Sequence, residues 1–387
     1  MTVGLLPSLG GGIRALAETG QQSRLLDGYL RPYAGAFGDI YYFSYLPESL
    51  DEFTTDRALL ERVRVLAPPR PVSRGRRATA MLRAHAGEFR SCAALRVFQI
   101  TGVIPALLAK ARFGVPYVTT YGFWYERLSQ PGPKGVLKAG VERLGLRHAA
   151  AVIVTTEELR ARAILTSRRV ELIPNGADPS MFDPKDEGME FRRTHHLEEK
   201  FVVMYAGAHG MSNDLNVVLD AAQILQNATV TSRPGIQIVL VGDGKEKPAL
   251  MTQVESMQLT NVIFLPSVPK SDMPRTLAGA DACIAILKPL NEYKTTYPNK
   301  VFDYMAAGRP VALAIDGVIR EVVEAASCGF FAEPGNANEL ANVIRELAED
   351  KNMSHQMGLN GRKYLEQNFS REKMAEKLLQ VLIDVCK

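Results

Sequence analysis

The chain has 387 residues, of which 46% are hydrophobic and 23% are charged, and its formal net charge is +4. This composition is typical of a soluble globular protein with two cores of ordinary domain size, and it argues against a disordered chain. No stretch reaches the roughly 18 consecutive apolar residues of a membrane-spanning helix, and the N-terminus lacks a signal-peptide pattern, so we expect a cytoplasmic protein.

The positive charge is concentrated in the first half of the chain. Residues 1–175 carry 24 Lys and Arg against 14 Asp and Glu, or +10, whereas the remainder carries −6. This basic half can attract an anionic surface, namely the inner face of the plasma membrane, or a phosphorylated acceptor; a solvated face or loop explains it equally well. We expect no nucleic-acid partner. Arginines are densest between Arg57 and Arg96, a region that includes Arg70, Arg74, Arg76, Arg77 and Arg83.

The cysteines and histidines show no metal-binding or redox spacing. None of the four cysteines forms a C-x-x-C pair, and the six histidines show no H-E-x-x-H pattern. We therefore expect no metal and no cofactor, and buried free thiols at Cys92, Cys283, Cys328 and Cys386.

The first half of the sequence alternates short apolar runs with helix-length segments. An apolar run at 2–7 is followed by Gly10, Gly11 and Gly12 and then by a helix-like run at 13–37. This alternation predicts a parallel sheet with helices on both faces. Further strands are predicted at 39–45, 63–67, 96–100, 117–120, 151–155 and 170–173.

The second half repeats the pattern after a turn at 174–176 and a polar stretch at 185–200. We predict a first domain over 1–175, a second over 176–369 and a terminal helix over 370–387 that packs back on the first. Both are predicted to be doubly wound, Rossmann-like α/β domains facing across a cleft, with ligands outside the carboxyl ends of the strands. Strands are predicted at 201–206, 236–241, 262–265, 282–287 and 310–315, and helices at 215–226 and 300–307.

Two strands of the second domain break at glycines. Gly242 and Gly244 follow one strand and precede a helix with Lys245 and Lys247 near its start, an arrangement that favours an anion such as a diphosphate, although a plain tight turn has the same pattern. Gly207 follows another strand. His209 lies two residues further on, where it can bind a phosphate or sugar hydroxyl or simply cap the loop.

The segment 297–311 is the most informative. It predicts a helix that begins near Pro298 and ends at Gly308, followed by a strand. Lys300 lies in the first turn, where a cation opposes the helix dipole unless an anion is bound. Asp303, one turn later, can accept hydrogen bonds from a vicinal diol such as a ribose, although a surface lysine and aspartate would look the same singly.

On these residues the chain resembles the retaining glycosyltransferases of the GT-B fold, family 4, and in particular a subgroup that acts in bacterial surface polysaccharide assembly. The family's helix motif E-A-M-A-x-G-x-P-V matches residues 303–311, and further similarity lies at 173–176, 241–244, 264–268, 321–323 and 328–329. The resemblance implies that Asp303 binds the nucleotide ribose and that Val268 lies beside the base. Donor-binding roles then follow for Gly207, His209, Gly242, Gly244, Lys245, Lys247, Tyr297 and Asn299.

The sequence departs from the family at the sugar-facing positions. Thr295 stands where the family has a second glutamate, and Glu292 lies three residues upstream. The region 119–126, where many members have a histidine, has none, and Ala208 and His209 stand where an arginine is expected. We assign catalytic roles to Lys300, Glu292 and Tyr121, and we expect the loop of Gly10, Gly11 and Gly12 to let substrates approach the backbone.

The resemblance implies metal-independent transfer of a sugar, with retention, from a nucleotide-sugar to a glycan or lipid-linked acceptor. A UDP-sugar is the preferred donor, and GDP- and dTDP-sugars stay open, as does the acceptor. Three alternatives also stay open: a natural-product glycosyltransferase, a nucleotide-sugar 2-epimerase, and an inactive nucleotide-sugar-binding subunit.

Overall fold

A computed structural model describes residues 1–18, 22–67, 76–122, 133–228 and 235–387. Arg70 and Arg74 of the basic region, and residues 123–126 of the segment that lacks a histidine, lie outside these ranges. The chain divides into two compact units. Unit 1 comprises Met1–Pro174 and Glu372–Lys387, and unit 2 comprises Asn175–Arg371.

The strands and helices alternate along the described chain. The strands are β1 (Thr2–Leu6), β2 (Asp39–Phe43), β3 (Val63–Leu66), β4 (Ala94–Val97), β5 (Tyr117–Tyr121), β6 (Ala151–Val154), β7 (Val170–Leu172), β8 (Phe201–Ala206), β9 (Ile236–Val241), β10 (Val262–Leu265), β11 (Ala282–Ile286), β12 (Val311–Ala314) and β13 (Gly329–Phe331). The α-helices are α1 (Ile13–Glu18), α2 (Gln22–Leu25), α3 (Arg31–Ala36), α4 (Arg57–Arg62), α5 (Arg77–Ala84), α6 (Ala86–Ser91), α7 (Val103–Phe113), α8 (Pro133–His148), α9 (Glu157–Ala163), α10 (Met189–Thr194), α11 (Leu215–Asn227), α12 (Lys247–Ser256), α13 (Met273–Ala278), α14 (Asn299–Ala306), α15 (Val318–Ala325), α16 (Ala337–Glu349), α17 (Lys351–Asn368) and α18 (Arg371–Cys386). Short 3-10 helices cover Leu50–Glu52, Ile100–Gly102, Pro179–Met181, Met211–Asn213 and Asn291–Thr295, and a π-helical turn covers Leu26–Leu30.

Unit 1 contains a seven-stranded sheet in the order β3-β2-β1-β4-β5-β6-β7. Neighbouring strands pair in parallel; for example, Val3 of β1 is opposite both Ile40 and Ala94. Strands β4 and β6 are buried along their whole length, as expected for a parallel sheet covered by helices on both faces. The doubly wound fold predicted for this half is confirmed.

The helix-like run predicted at 13–37 is helical at its described residues up to Ala36. It comprises α1 and then an unbroken helical segment from Gln22 to Ala36, in which the π-helical turn Leu26–Leu30 lies between α2 and α3. Pro32, directly after this turn, lies in the first turn of α3 and lacks the N–H that a regular α-helix uses.

Unit 2 contains a six-stranded parallel sheet in the order β10-β9-β8-β11-β12-β13. Strands β8, β9 and β10 have the predicted bounds, whereas the short edge strand β13 was not predicted. The order of the strands reverses at β8, which lies between β9 and β11. In doubly wound sheets this reversal opens a crevice at the carboxyl ends of the strands, where ligands bind. On this fold, the ligand is therefore expected at the loops after β8, β9 and β11.

Helix α18 completes the core of unit 1. Its apolar residues Met374, Leu378, Val381 and Leu382 lie in the same cluster as Val3 and Ile40 of the sheet. Asp384 in its last turn also accepts a 3.0 Å hydrogen bond from Arg169 Nη2. The helix therefore stabilises the unit that is formed mainly by the N-terminal half of the chain.

Cys92, Cys283 and Cys328 are buried free thiols, and Cys386 is free but only partly buried. None of the helices within the described ranges has the length and apolar character that crossing a bilayer requires.

Candidate nucleotide-sugar site

The glycine-containing loops that follow β8 and β9 pack against each other and are linked by backbone hydrogen bonds. Gly207 N donates a 2.9 Å hydrogen bond to Val241 O, and His209 N donates a 2.8 Å hydrogen bond to Asp243 O. Gly242 has a φ of +147°, and a Cβ atom at this position would lie 1.9 Å from Gly207 O. Only glycine can therefore occupy position 242 without moving one of the two loops.

The third glycine brings the backbone of the second loop against His209. A Cβ atom on Gly244 would lie 2.3 Å from His209 O. Lys247, at the start of α12, donates to Gly242 O at 2.8 Å and to Leu265 O at 3.1 Å. Its ammonium group thus binds the carbonyls at the ends of β9 and β10, while Lys245 is exposed. Of the two predicted phosphate-binding lysines, Lys247 already has a structural role.

His209 is fully buried between these turns. Neither ring nitrogen has a hydrogen-bond partner among the described residues, and the rings of Tyr205 and Phe264 lie about 6 Å away, at 6.0 and 5.9 Å. Burial, followed by the positive charge of Lys247, lowers the pKa of His209 to about 4. The imidazole is therefore neutral near pH 7 and offers one donor and one acceptor.

Lys300, in the first turn of α14, reaches back to β8. Its Nζ atom donates to Tyr205 Oη at 2.8 Å and to Asn213 Oδ1 at 2.9 Å, and it lies 4.1 Å from the centroid of the Tyr205 ring. No carboxylate in the described part of the chain forms a salt bridge with it. Burial lowers the pKa of Lys300 to about 7. An anion bound here would supply the missing negative charge and raise this pKa again.

Asp303 lies one turn after Lys300 and is paired with a lysine that sequence reasoning missed. Lys270 Nζ donates to Asp303 Oδ2 at 2.5 Å, and only 23% and 16% of the two side chains are exposed. Lys270 follows the predicted base contact Val268 by two residues. This closeness in sequence is the feature that could have indicated a role for Lys270 at the nucleotide site. The predicted ribose carboxylate is thus held in place by a partly buried ion pair.

The remaining predicted donor residues differ in accessibility. Tyr297 packs edge-on against Phe302 and Phe369 at 5.8 and 5.9 Å, and Val268 packs against the same core. Asn299, at the start of α14, is exposed. Tyr297 therefore has a clear packing role, while Asn299 is available to a ligand.

Glu292 and Thr295 share one short 3-10 helix, Asn291–Thr295. Thr295 Oγ1 donates a long, 3.4 Å hydrogen bond to the backbone oxygen of Glu292. A cavity of about 120 Å³ lies beside this helix, at the carboxyl ends of β11, β12 and β13. Its lining residues include Lys288, Asn291, Tyr293, Lys294, Asp316 and Glu333. Glu292 is not among them, and its catalytic role stays a prediction.

Tyr121, the third predicted catalytic residue, is fully buried at the end of β5 in unit 1. Its hydroxyl donates to Glu142 Oε1 at 2.9 Å and accepts from Arg162 Nε at 2.9 Å. Burial raises the pKa of Tyr121 well above its ordinary value. These contacts give the hydroxyl a structural role, and the catalytic role stays a prediction.

The side-chain carboxylate of Glu48 occupies the space beside the glycine loop of unit 1, residues 10–12. Glu48 accepts hydrogen bonds from Ile13 N at 2.7 Å and Arg14 N at 2.8 Å, the first amides of α1. A Cβ atom on Gly12 would lie 2.4 Å from Glu48 Oε1. We expected Gly10, Gly11 and Gly12 to admit substrates; the structure shows that Gly12 makes room for Glu48.

Comparisons with known proteins find glycosyltransferase domains in both halves of the chain. The family described as glycosyl transferases group 1 matches residues 187–364, and the glycosyl transferase 4-like domain matches residues 10–176. Spore coat protein SA of Bacillus subtilis (strain 168) is 22% identical over 311 residues, which cover 72% of this chain and 80% of that protein.

Two further similarities extend the comparison. The alpha-D-kanosaminyltransferase of Streptomyces kanamyceticus is 23% identical over 61% of this chain, and the match spans 59% of its own length. The solved structure of HepE from Anabaena in complex with UDP has a TM-score of 0.78 at 18% identity and covers 99% of this chain and 100% of that chain. From its two family domains and its fold, this chain is a glycosyltransferase of the GT-B type.

Proposed function

We propose that the protein transfers a sugar from a nucleoside diphosphate sugar, preferably a UDP-sugar, to a glycan or lipid-linked acceptor. The observation that carries this proposal is Lys300, a partly buried cation without a described carboxylate partner beside the glycine turns of Gly207 and Gly242. A diphosphate has the charge that this position lacks. HepE, which has the same fold, was solved with UDP and with UDP-glucose.

The proposed chemistry requires stabilisation of a leaving diphosphate. As the bond between the anomeric carbon and the diphosphate oxygen breaks, negative charge develops on the phosphate, and protonated Lys300 offsets it. The proposal assigns this role to the chain's own cations and invokes no metal. Neutral His209 can donate to a phosphate oxygen or a sugar hydroxyl, and Asp303 can accept from the ribose hydroxyls.

We also propose that the configuration at the anomeric carbon is retained and that the acceptor belongs to surface polysaccharide or glycoconjugate assembly. Both follow from the motif at 303–311, which resembles that of family 4. A natural-product glycosyltransferase is a second candidate, because two relatives carry the names alpha-D-kanosaminyltransferase and 2-deoxystreptamine glucosyltransferase.

Peripheral membrane association is proposed from a basic and apolar surface of unit 1. Helix α8 and the turn after α9 are adjacent, since Ser167 Oγ donates a 2.8 Å hydrogen bond to Leu146 O. Exposed arginines, Arg143 and Arg147, lie on the same helix and complement anionic lipid headgroups. Large apolar side chains are exposed on α8, at Val136, Leu137 and Leu144, and directly after α9, at Ile164 and Leu165.

The donor assignment is tested first by thermal shift with UDP-, GDP- and dTDP-sugars, because a specific ligand raises the melting temperature by mass action. Labelled donor is then incubated with an acceptor extract. Transfer of label, with the product's anomeric configuration determined by NMR, supports the proposal. An isomerised donor would indicate an epimerase, and tight binding without turnover an inactive binding subunit; either result contradicts the transferase assignment.

Membrane association is tested separately by vesicle flotation. We expect binding to vesicles that contain anionic lipid, because basic segments are attracted by the negative surface potential, and no binding to neutral vesicles. The double substitution Leu137→Ser and Leu165→Ser should reduce binding, and Met211→Ser, an exposed apolar residue of unit 2, should not. Equal flotation of all three proteins would exclude this surface.

A further inference from the structure

Arg96 of β4 is buried in unit 1, and it forms no salt bridge within the described part of the chain. Only 1% of this residue is exposed. Its Nη2 atom donates to Thr120 Oγ1 at 2.6 Å and its Nη1 atom to the backbone oxygen of Val97. No described acidic residue forms a salt bridge with it, and its Nε atom has no hydrogen-bond partner among the residues that the structure describes. An ion that is buried without a counter-ion costs several kcal/mol, so a well-packed apolar residue would be more stable here.

The guanidinium is directed toward the carboxyl edge of the sheet. Arg96 is opposite Val118 in the register of β4 and β5, whereas its partner Thr120 lies two residues nearer the end of β5. Val97, the other partner, is the last residue of β4. The charged group therefore lies below the edge at which doubly wound domains bind their ligands.

The groups that cover the guanidinium are themselves only partly buried. The rings of Tyr29 and Phe98 lie 5.9 and 5.5 Å from the Arg96 Cζ atom, and both residues, like Thr120, reach the surface. Only one layer of side chains therefore separates the guanidinium from solvent. Movement of one of these side chains would give an anion access to Nε and to the outer Nη atoms.

A second buried polar group lies beside the guanidinium. Tyr33 is fully buried, and burial raises the pKa of its hydroxyl. The positive charge of Arg96 and a side-chain hydrogen bond with Arg96 oppose this rise, so the two groups lie close together. Tyr33 is thus a polar neighbour of the guanidinium, while Arg96 Nε is a buried donor with no acceptor among the described residues, as expected for a site whose anion is absent.

We propose that Arg96 is the receptor for an anionic group, a phosphate or a carboxylate, on the acceptor. This inference rests on the proposed transferase function, because it assigns acceptor binding to unit 1. A guanidinium binds either group through two parallel hydrogen bonds, and the buried position strengthens both. The basic character of residues 1–175 attracts an acceptor of this charge.

The test is a calorimetric titration with inorganic phosphate and with malonate, in the presence of saturating UDP, so that the proposed phosphate site of unit 2 is filled. We expect wild-type protein to bind at least one of the two anions, and Arg96→Met to bind it at least tenfold more weakly. Arg90→Met removes an exposed arginine from the same unit and should leave binding unchanged. Absence of binding to the wild type, or equal binding by Arg96→Met, would overturn the proposal.

A second variant and a titration without UDP cover the cases in which Arg96→Met does not fold or UDP does not bind. If circular dichroism shows that Arg96→Met is unfolded, Thr120→Val replaces it, since it keeps the charge but removes the oxygen that orients the guanidinium; a loss of at least threefold is then expected, and unchanged affinity overturns the proposal. If UDP itself does not bind, the donor assignment fails, and the same titration without UDP still measures the dependence on Arg96. Farnesyl phosphate and glucosamine 1-phosphate then distinguish a lipid-linked from a soluble phosphate.

Discussion

Lys270 and Asp303 form a 2.5 Å ion pair at the place where a ribose is proposed to bind. The pair holds the Asp303 carboxylate in a defined orientation, although one of its oxygens is occupied. A ribose diol must therefore share the carboxylate with Lys270 or replace it. The affinity for nucleotide then depends on both members of the pair.

The first prediction concerns this ribose contact. Wild-type protein should bind UDP about tenfold more tightly than 2′,3′-dideoxy-UDP, the difference that about 1.4 kcal/mol of hydrogen bonding produces. Asp303→Asn should abolish most of this preference, since an amide accepts less strongly than a carboxylate. Asp272→Asn, an exposed aspartate of the same unit, is the control. A preference that persists in Asp303→Asn would place the ribose elsewhere. Affinities are measured by calorimetry.

The second prediction concerns the pH dependence of donor binding. Because the pKa of Lys300 is about 7, the free site is charged below pH 7 and increasingly neutral above it. A bound diphosphate favours the charged form, so binding above pH 7 takes up a proton, and the affinity for UDP-glucose should fall by up to about tenfold per pH unit. Calorimetry from pH 6 to 8.5 in two buffers of different ionisation enthalpy measures both effects. Lys300→Arg should show a flat profile, and a wild-type profile equally flat would contradict the role of Lys300.

The third prediction concerns acid stability. His209 has a folded-state pKa of about 4, below its ordinary value of 6.5. Between these pH values the unfolded chain binds a proton that the folded chain does not, so the free energy of unfolding should fall as the pH decreases from 6.5 to 4, by on the order of 2 kcal/mol. Urea unfolding of His209→Gln should show a smaller fall. His355→Gln, which changes an exposed histidine of unit 2, should follow the wild type; parallel curves for all three proteins would refute the assignment.

The fourth prediction is that substitution of two nearby glycines, Gly242 and Gly210, has very different effects on stability. Gly242→Ala places a methyl group 1.9 Å from Gly207 O and should lower the free energy of unfolding by about 2 kcal/mol or more. Gly210→Ala has its nearest neighbour, Asn213 Nδ2, at 3.9 Å and a negative φ, so its effect should stay within about 0.5 kcal/mol. Thermal unfolding with and without UDP compares the two variants. Similar losses in both would show that the loops are not in close contact.

The fifth prediction concerns Tyr121. Its hydroxyl bonds with Glu142 and Arg162 in the interior, so Tyr121→Phe should cost about 1–3 kcal/mol of stability by leaving a buried partner unsatisfied. A structural role alone predicts that transfer activity per folded molecule changes by less than threefold, whereas the catalytic role predicted from the sequence requires a much larger loss. A hundredfold loss of turnover with unchanged stability would instead support the catalytic assignment. Turnover and urea unfolding are measured on the same preparation, with Tyr41→Phe, a partly exposed tyrosine of β2, as the control.

The sequence by itself determined the parallel sheets, because buried aliphatic runs of strand length separated by helical periodicity leave few other folds. It also identified the glycines at 207, 242 and 244, since a strand that ends in glycine indicates close backbone approach. It could not show that Lys247 binds carbonyls, that Glu48 closes the loop at Gly12, or that Lys270 pairs with Asp303. These contacts join residues from 5 to 35 positions apart, and only tertiary packing determines which of several nearby charges meet. The same reason explains why the sequence does not identify Arg96: that no described carboxylate pairs with it depends on its three-dimensional surroundings, which leave no pattern in the sequence.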